Sequence, residues 1–272
     1  MVVATRNRRG YLLRTLAELE SLPERPPIVV VDNASSDGTA AAVASEFPRV
    51  ELVVLDRNCG AFARNLGVRQ LQTPLVAFSD DDSWWQPGAL SRAGETFRSF
   101  RRVGLLAARI LVGDERRLDP VSAVMQGATP PGLPGPRVHG FLGCGAVVRR
   151  AAFLEAGGFH IRLMVGGEEE LAAIDIRLAG WELCYAEDVV ALHFPARGNR
   201  EDRTELGLRN RLWTSWLRMP ATRALRDTAA LARAAATDSV ARRAMLGALR
   251  GLPWALRSRR PVPDWLLRER LD

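Results

Sequence analysis

The first 82 residues repeat one pattern: a short apolar run, a polar end, then a segment with helical spacing. Val2–Thr5 reads as a strand. Tyr11, Leu12, Leu16, Leu19 and Leu22 then fall at helical spacing, and Pro26-Pro27 ends them. Residues 28–31 are a continuous β-branched run, as in a buried parallel strand. Asp37 reads as the N-cap of an alanine-rich helix to Glu46. Residues 50–55 and 75–79 read as strands, with a helix over 60–71 between them. Strands alternating with helices predict an α/β fold: a mostly parallel, Rossmann-like sheet flanked by helices. Such sheets bind ligands beyond the carboxyl ends of their strands. Thr5-Arg6-Asn7, Asp32-Asn33 and Asp80-Asp81-Asp82 stand there.

The pattern then loosens. Residues 129–136, rich in proline and glycine, exclude helix and central strand. They read as a surface loop, either a lid or a passive connector. Strands are expected at 141–148, 183–186 and 189–192, and a helix at 168–180. From 203 onward everything reads helical. Leu206, Leu208, Leu212, Trp213, Trp216 and Leu217 make that first helix amphipathic, either against the α/β body or against lipid.

Charge divides the chain. Its 38 cations are all arginine, and the formal net charge is +7. The absence of lysine excludes a Walker A site, a lysine Schiff base and the protein-kinase lysine. Residues 218–272 hold 12 Arg against 5 acids, a surplus equal to that of the whole chain. A near-neutral domain over 1–217 and a basic helical extension over 218–272 are therefore expected. The extension suits anionic lipid headgroups. Nucleic acid is not expected as a partner, because only Trp254 and Trp265 could stack on bases there. Cys59, Cys144 and Cys184 form no C-x-x-C pair and read as reduced thiols of a cytoplasmic protein. No basic-then-apolar leader is seen, and apolar runs fall short of the roughly 20 residues of a membrane helix. The expectation is a soluble or peripheral protein.

Five motifs carry chemistry. Asp80-Asp81-Asp82 follows a buried run; three adjacent carboxylates at a strand end read either as a solvated turn or as a cation site, suiting Mg²⁺ or Mn²⁺ beside phosphate. Asp32 can accept hydrogen bonds from a base or ribose. Arg64 and Asn65 open a helix after Gly60, though this is no G-x-G-x-x-G fingerprint. Glu168-Glu169-Glu170 opens another helix, either complementing its dipole or supplying a general base. His193 ends a strand, as a structural histidine or as a metal ligand.

In this order the motifs resemble family 2 inverting glycosyltransferases of the GT-A fold, over roughly residues 1–217. The likeness rests on Val-Val-Ala-Thr-Arg-Asn, Val-Val-Asp-Asn-Ala-Ser-Ser-Asp-Gly-Thr, Arg-Asn-Cys-Gly-Ala-Phe-Ala-Arg-Asn and Phe-Ser-Asp-Asp-Asp. It continues through Pro87-Gly-Ala-Leu90, Gly143-Cys-Gly-Ala-Val-Val-Arg149, Ala-Gly-Gly-Phe159 and Gly-Glu-Glu-Glu to Ala-Gly-Trp181. The resemblance implies a nucleotide-diphosphate sugar donor, held by Thr5, Arg6, Asp32, Asn33, Arg64, Asp80 and Asp81. It implies a Mn²⁺ or Mg²⁺ ion on Asp80, Asp82 and His193. It implies Glu169 as general base toward an acceptor hydroxyl of a cell-envelope glycan, lipid-linked or natural-product acceptor. The family's Glu-Asp-x-Asp reads Glu168-Glu169-Glu170-Leu171 here, which leaves Glu168 and Glu170 open as the base. It also leaves open a non-catalytic, sugar-nucleotide-binding relative. The first strand begins almost at Met1, which leaves the start open to truncation.

Overall fold

The computed structural model describes residues 1–195 and 200–269. Its first half runs β1 (Val2–Thr5), α1 (Arg9–Glu20), β2 (Val29–Asp32), α2 (Thr39–Glu46), β3 (Glu51–Val54), α3 (Ala63–Gln70) and β4 (Leu75–Asp80). β5 (Ser83–Trp85), α4 (Ala89–Ser99), β6 (Val103–Val112), β7 (Arg117–Leu118) and α5 (Pro120–Val124) follow. Then come β8 (Ala146–Arg149), α6 (Arg150–Glu155), α7 (Glu168–Leu178) and β9 (Glu182–His193). Four helices end the chain: α8 (Arg200–Arg218), α9 (Ala221–Ala235), α10 (Ser239–Arg257) and α11 (Asp264–Glu269).

The strands make one sheet in the order β3-β2-β1-β4-β8-β6-β9-β5, with β7 beside β6. β3, β2, β1 and β4 run parallel. β8 lies antiparallel to β4 and β6, and β6 runs parallel to β9. Alternation along β1 explains the layering. Val3 joins the core under α1, α2 and α4, and Val2 joins the core under α3, α6 and α7. Gly67 lets α3 sit close, since a Cβ there would stand 2.6 Å from a Val2 methyl. The reversal of strand direction beyond β4 leaves a crevice at its carboxyl end, where the acid triplet emerges.

Two strand expectations are corrected, and the two readings of α8 are resolved. The strand expected over 141–148 pairs only from Ala146, because Gly143–Gly145 forms a 3-10 turn first. A Cβ on Gly145 would stand 2.7 Å from Ile110, so the turn is pressed on β6. The two strands expected at 183–186 and 189–192 are one strand, β9, bulged between Ala186 and Val190. Of the two readings of α8, its apolar face packs within the protein. Leu212, Trp213 and Leu217 are buried with Leu231 of α9 and Ala241, Ala248 and Ala255 of α10. Leu163 and Leu171 from the loop and helix beside the site complete that core. α11 returns to α7 through Ile174, Met219, Val262 and Leu266. The expected extension is described through Glu269; residues 270–272 lie outside the described residues.

Loop 129–136 holds no helix or strand. Its far end is fastened, since the Tyr185 amide donates to the Pro136 carbonyl at 2.8 Å.

Candidate active site

β1, β2 and β4 bring their polar ends together. Asn7 lies in the left-handed region at φ 53°. Its side chain accepts from the Ser36 amide at 2.7 Å, and its own amide donates to Ser35 Oγ at 2.9 Å. The loops after β1 and β2 are thus stitched to each other. Between them Asp32 is fully buried; its Oδ1 accepts from the Ser35 amide at 3.0 Å, and its Oδ2 has no partner. Asp37 does not cap α2 directly. Gly38 precedes the helix at φ 81°, and Asp37 accepts from the Thr39 and Arg9 amides at 3.1 Å.

The acid triplet is divided among four side chains. Thr5 Oγ1 donates to Asp81 at 2.9 Å. Arg8 places one guanidinium nitrogen 2.8 Å from Asp81 and the other 2.8 Å from Asp82. Arg64 hydrogen-bonds Asp80, and His193 Nε2 lies 3.4 Å from Asp82. Burial pushes the Asp81 carboxyl up to about 7, although Arg8 and Thr5 pull it down. Burial also opposes charge on His193, but the hydrogen bond and charge of Asp82 outweigh it and raise its pKa.

Across this cluster stands the start of α7. Gly166 and Gly167 adopt φ 84° and 86°, a turn that side chains resist, and deliver Glu168, Glu169 and Glu170 in the first helical turn. Glu169 Oε1 accepts from the Gly143 amide at 3.4 Å. Glu168 is buried, and its Oε2 has no partner. Burial, then repulsion from Glu169, pushes Glu168 up to about 8, and burial raises Glu169 as well. Arg64 is the link. Burial opposes its charge, but Asp80, Glu168 and Glu169 outweigh burial and keep it protonated.

Three side chains could hold a cation here. Ligand atoms of Asp80, Cys144 and His193 lie within 4.8 Å of one another, with Asp82 against His193. Two carboxylates and an imidazole suit Mn²⁺ or Mg²⁺. Burial drives the Cys144 thiol well above its ordinary value, so it stays a neutral wall of the site.

The family model for glycosyl transferase family 2 matches residues 1–157. The chain belongs to this family. It is 26% identical over 239 residues to the N-acetylglucosaminyl-diphospho-decaprenol L-rhamnosyltransferase of Mycobacterium tuberculosis, covering 74% of this chain and 78% of the relative. Its fold is similar to a mannosyltransferase from Pyrobaculum calidifontis in complex with GDP-Man and Mn²⁺ (TM-score 0.59, 21% identity, 94% of this chain and 71% of that one). It is also similar to GalNAc-T7 with UDP, GalNAc and Mn²⁺ (TM-score 0.66, 15% identity, 94% and 55%). The architecture is GT-A, and the protein is a glycosyltransferase.

Within this family 2 frame, some motif residues meet around the acid triplet and others hold the loops behind it. Thr5, Arg64 and His193 each contact one acid of the triplet Asp80-Asp81-Asp82, and the charge of Arg64 also reaches Glu168 and Glu169; Asp32 ends β2 beside β1, and Glu170 shares the first turn of α7. Arg6 is exposed. Asn33 is spent on the Cys59-Gly60 turn, accepting from the Cys59 amide at 3.0 Å and donating to the Gly60 carbonyl at 3.2 Å. Asn65 clamps Phe159 through both its amide atoms at 2.9 Å.

Two residues were not singled out from the sequence. Arg8 is one; its signal is the run Arg6-Asn7-Arg8-Arg9, in which a turn at Asn7 decides which guanidinium looks inward. Asn210 of α8 is the other. It is fully buried, and its amide donates to the carbonyls of Leu163, Val165 and Gly166 at 2.6, 3.1 and 2.6 Å. It therefore fixes the loop that delivers the glutamates.

Proposed function

We propose that this glycosyltransferase moves a sugar from a nucleotide-diphosphate donor to a hydroxyl of a lipid-linked acceptor, with inversion at the anomeric carbon. One observation carries the reading: the acid triplet after β4 and the glutamates opening α7 face each other across the single guanidinium of Arg64. That pairing sets a diphosphate and cation site opposite a proton acceptor. The unpartnered Oδ2 of Asp32 faces the base or ribose, Thr5 and Asp81 line the nucleoside end, and Arg6 covers it from the rim. Asp80, Asp82 and His193 would hold Mn²⁺ or Mg²⁺, which neutralises charge on the departing diphosphate.

Glu169 takes the proton of the acceptor hydroxyl. The freed oxygen attacks the anomeric carbon opposite the diphosphate. The bond to the diphosphate breaks as the glycosidic bond forms, and no covalent sugar–enzyme intermediate arises. The rhamnosyltransferase relative, whose name places its acceptor on a decaprenyl diphosphate, supports the lipid-linked acceptor. A cytoplasmic protein peripheral on the membrane's inner face suits it. Among the described residues no helix is long and apolar enough to cross a membrane.

Calorimetric titration with UDP, GDP, dTDP and CDP, with and without Mn²⁺, tests the reading. We expect one nucleotide to bind selectively and to depend on the metal, with binding lost in Asp82→Asn. No binding of any of them overturns it.

A further inference from the structure

Helix α10 has two faces of different chemistry. Ala241, Ala244, Ala248, Gly251 and Ala255 are its buried side. Trp213 of α8 fills the notch: its Nε1 donates to the Ala248 carbonyl at 2.9 Å, and a Cβ on Gly251 would stand 2.4 Å from its ring. The other side carries Leu246, Leu249 and Leu256, exposed to 53%, 49% and 47%. Their spacing, with exposed Pro253 between, puts them on one stripe. Arg242 extends the stripe, Arg250 and Arg257 run along its edge, and all three are exposed. α10 contains no acidic residue.

Single exposed leucines are ordinary on a protein surface. Three in one stripe on an acid-free helix mark a contact surface. Charge selects the occupant. A second copy packed about a twofold axis would set the arginines of α10 against themselves, with no carboxylate on that helix to receive them. Nucleic acid would satisfy the arginines, but leucine gives bases no stacking face. An anionic bilayer satisfies both: alkyl side chains enter the acyl boundary while guanidiniums remain at the phosphates.

We propose that the outer face of α10 docks on an anionic bilayer, Leu246, Leu249 and Leu256 inserting and Arg242, Arg250 and Arg257 meeting lipid phosphates. This rests on the lipid-linked acceptor proposed above and names the surface that brings the enzyme to it. The docking face is joined to the chemistry through α8, which grips α10 with Trp213 and the loop before Glu168 with Asn210.

The test is flotation of the full chain with phosphatidylcholine vesicles, with and without phosphatidylglycerol, in the absence of nucleotide. We expect co-flotation only with phosphatidylglycerol, declining as salt rises. Changing Arg242, Arg250 and Arg257 to Gln should weaken it about a hundredfold, roughly fivefold per arginine. Changing the three leucines to Ser should abolish it at every salt concentration, with the parent's circular dichroism melt and nucleotide binding retained. No flotation, equal flotation on both vesicles, or unchanged flotation of the leucine variant overturns the proposal. So does a leucine-dependent dimer by light scattering, or RNA binding in place of vesicle binding. Nucleotide titration of the same samples separates the two readings: vesicle binding without nucleotide binding keeps the docking face and discards the transfer reaction.

Discussion

At the scale of single residues, function turns on which carboxylates are neutral. Burial lifts Glu168 from 4.5 to about 8, so the folded state holds its proton more tightly than the unfolded chain does. Stability from this group is complete below pH 4.5 and is lost as pH rises through 8. The melting temperature of the nucleotide-free protein should therefore fall between pH 6 and pH 9, and Glu168→Gln should flatten that slope. Activity should run the other way, rising with pH as the glutamate pair ionises. Glu169→Gln should lower kcat by about a hundred- to ten-thousandfold while nucleotide affinity stays near that of the parent. An unchanged kcat would move the base to Glu168 or Glu170, and the same steady-state assay on their Gln variants would show which.

At the scale of elements, the legible parts of the chain were those with unbroken local pattern. Residues 28–31 are a β-branched run closed by Asp32, and residues 75–79 an apolar run closed by Asp80, so both could be placed nearly to the residue. β9 was read as two strands because Glu187 and Asp188 interrupt its apolar run; the bulge absorbs them while β6 keeps its pairing. Contacts between elements were not legible. Nothing in the spacing of Asn210 shows that it collects three carbonyls from a loop some 45 residues earlier. Asn210→Ala should lower stability by about 2 kcal/mol by orphaning those carbonyls. It should also reduce kcat more than donor KM, as steady-state kinetics would show. Arg177 is a second such contact, at 2.5 Å from Glu182 and 2.6 Å from Glu269, joining α7, β9 and α11. Arg177→Met leaves both carboxylates short of a partner and should cost about 3 kcal/mol in urea unfolding.

For the whole molecule, the boundary read from charge, after residue 217, falls at the end of α8. α8, placed with the catalytic domain by composition, shares its core with α9 and α10, and also with Leu163 and Leu171 beside the glutamates. A chain ending after α8 should therefore aggregate, with Trp213 and Leu217 uncovered, as light scattering would register. Asp80 ends the parallel part of the sheet, β3-β2-β1-β4, and the glutamates open α7, the helix before β9 of the mixed part. Arg64 spans the two, and its charge is shared between Asp80 on one side and Glu168 and Glu169 on the other. A diphosphate bound as proposed would compete for that guanidinium. As the glutamates lose part of their counter-charge, their affinity for hydrogen ions rises. Nucleotide binding near pH 8 should then draw protons from solution, so the apparent binding enthalpy will change with the ionisation heat of the buffer.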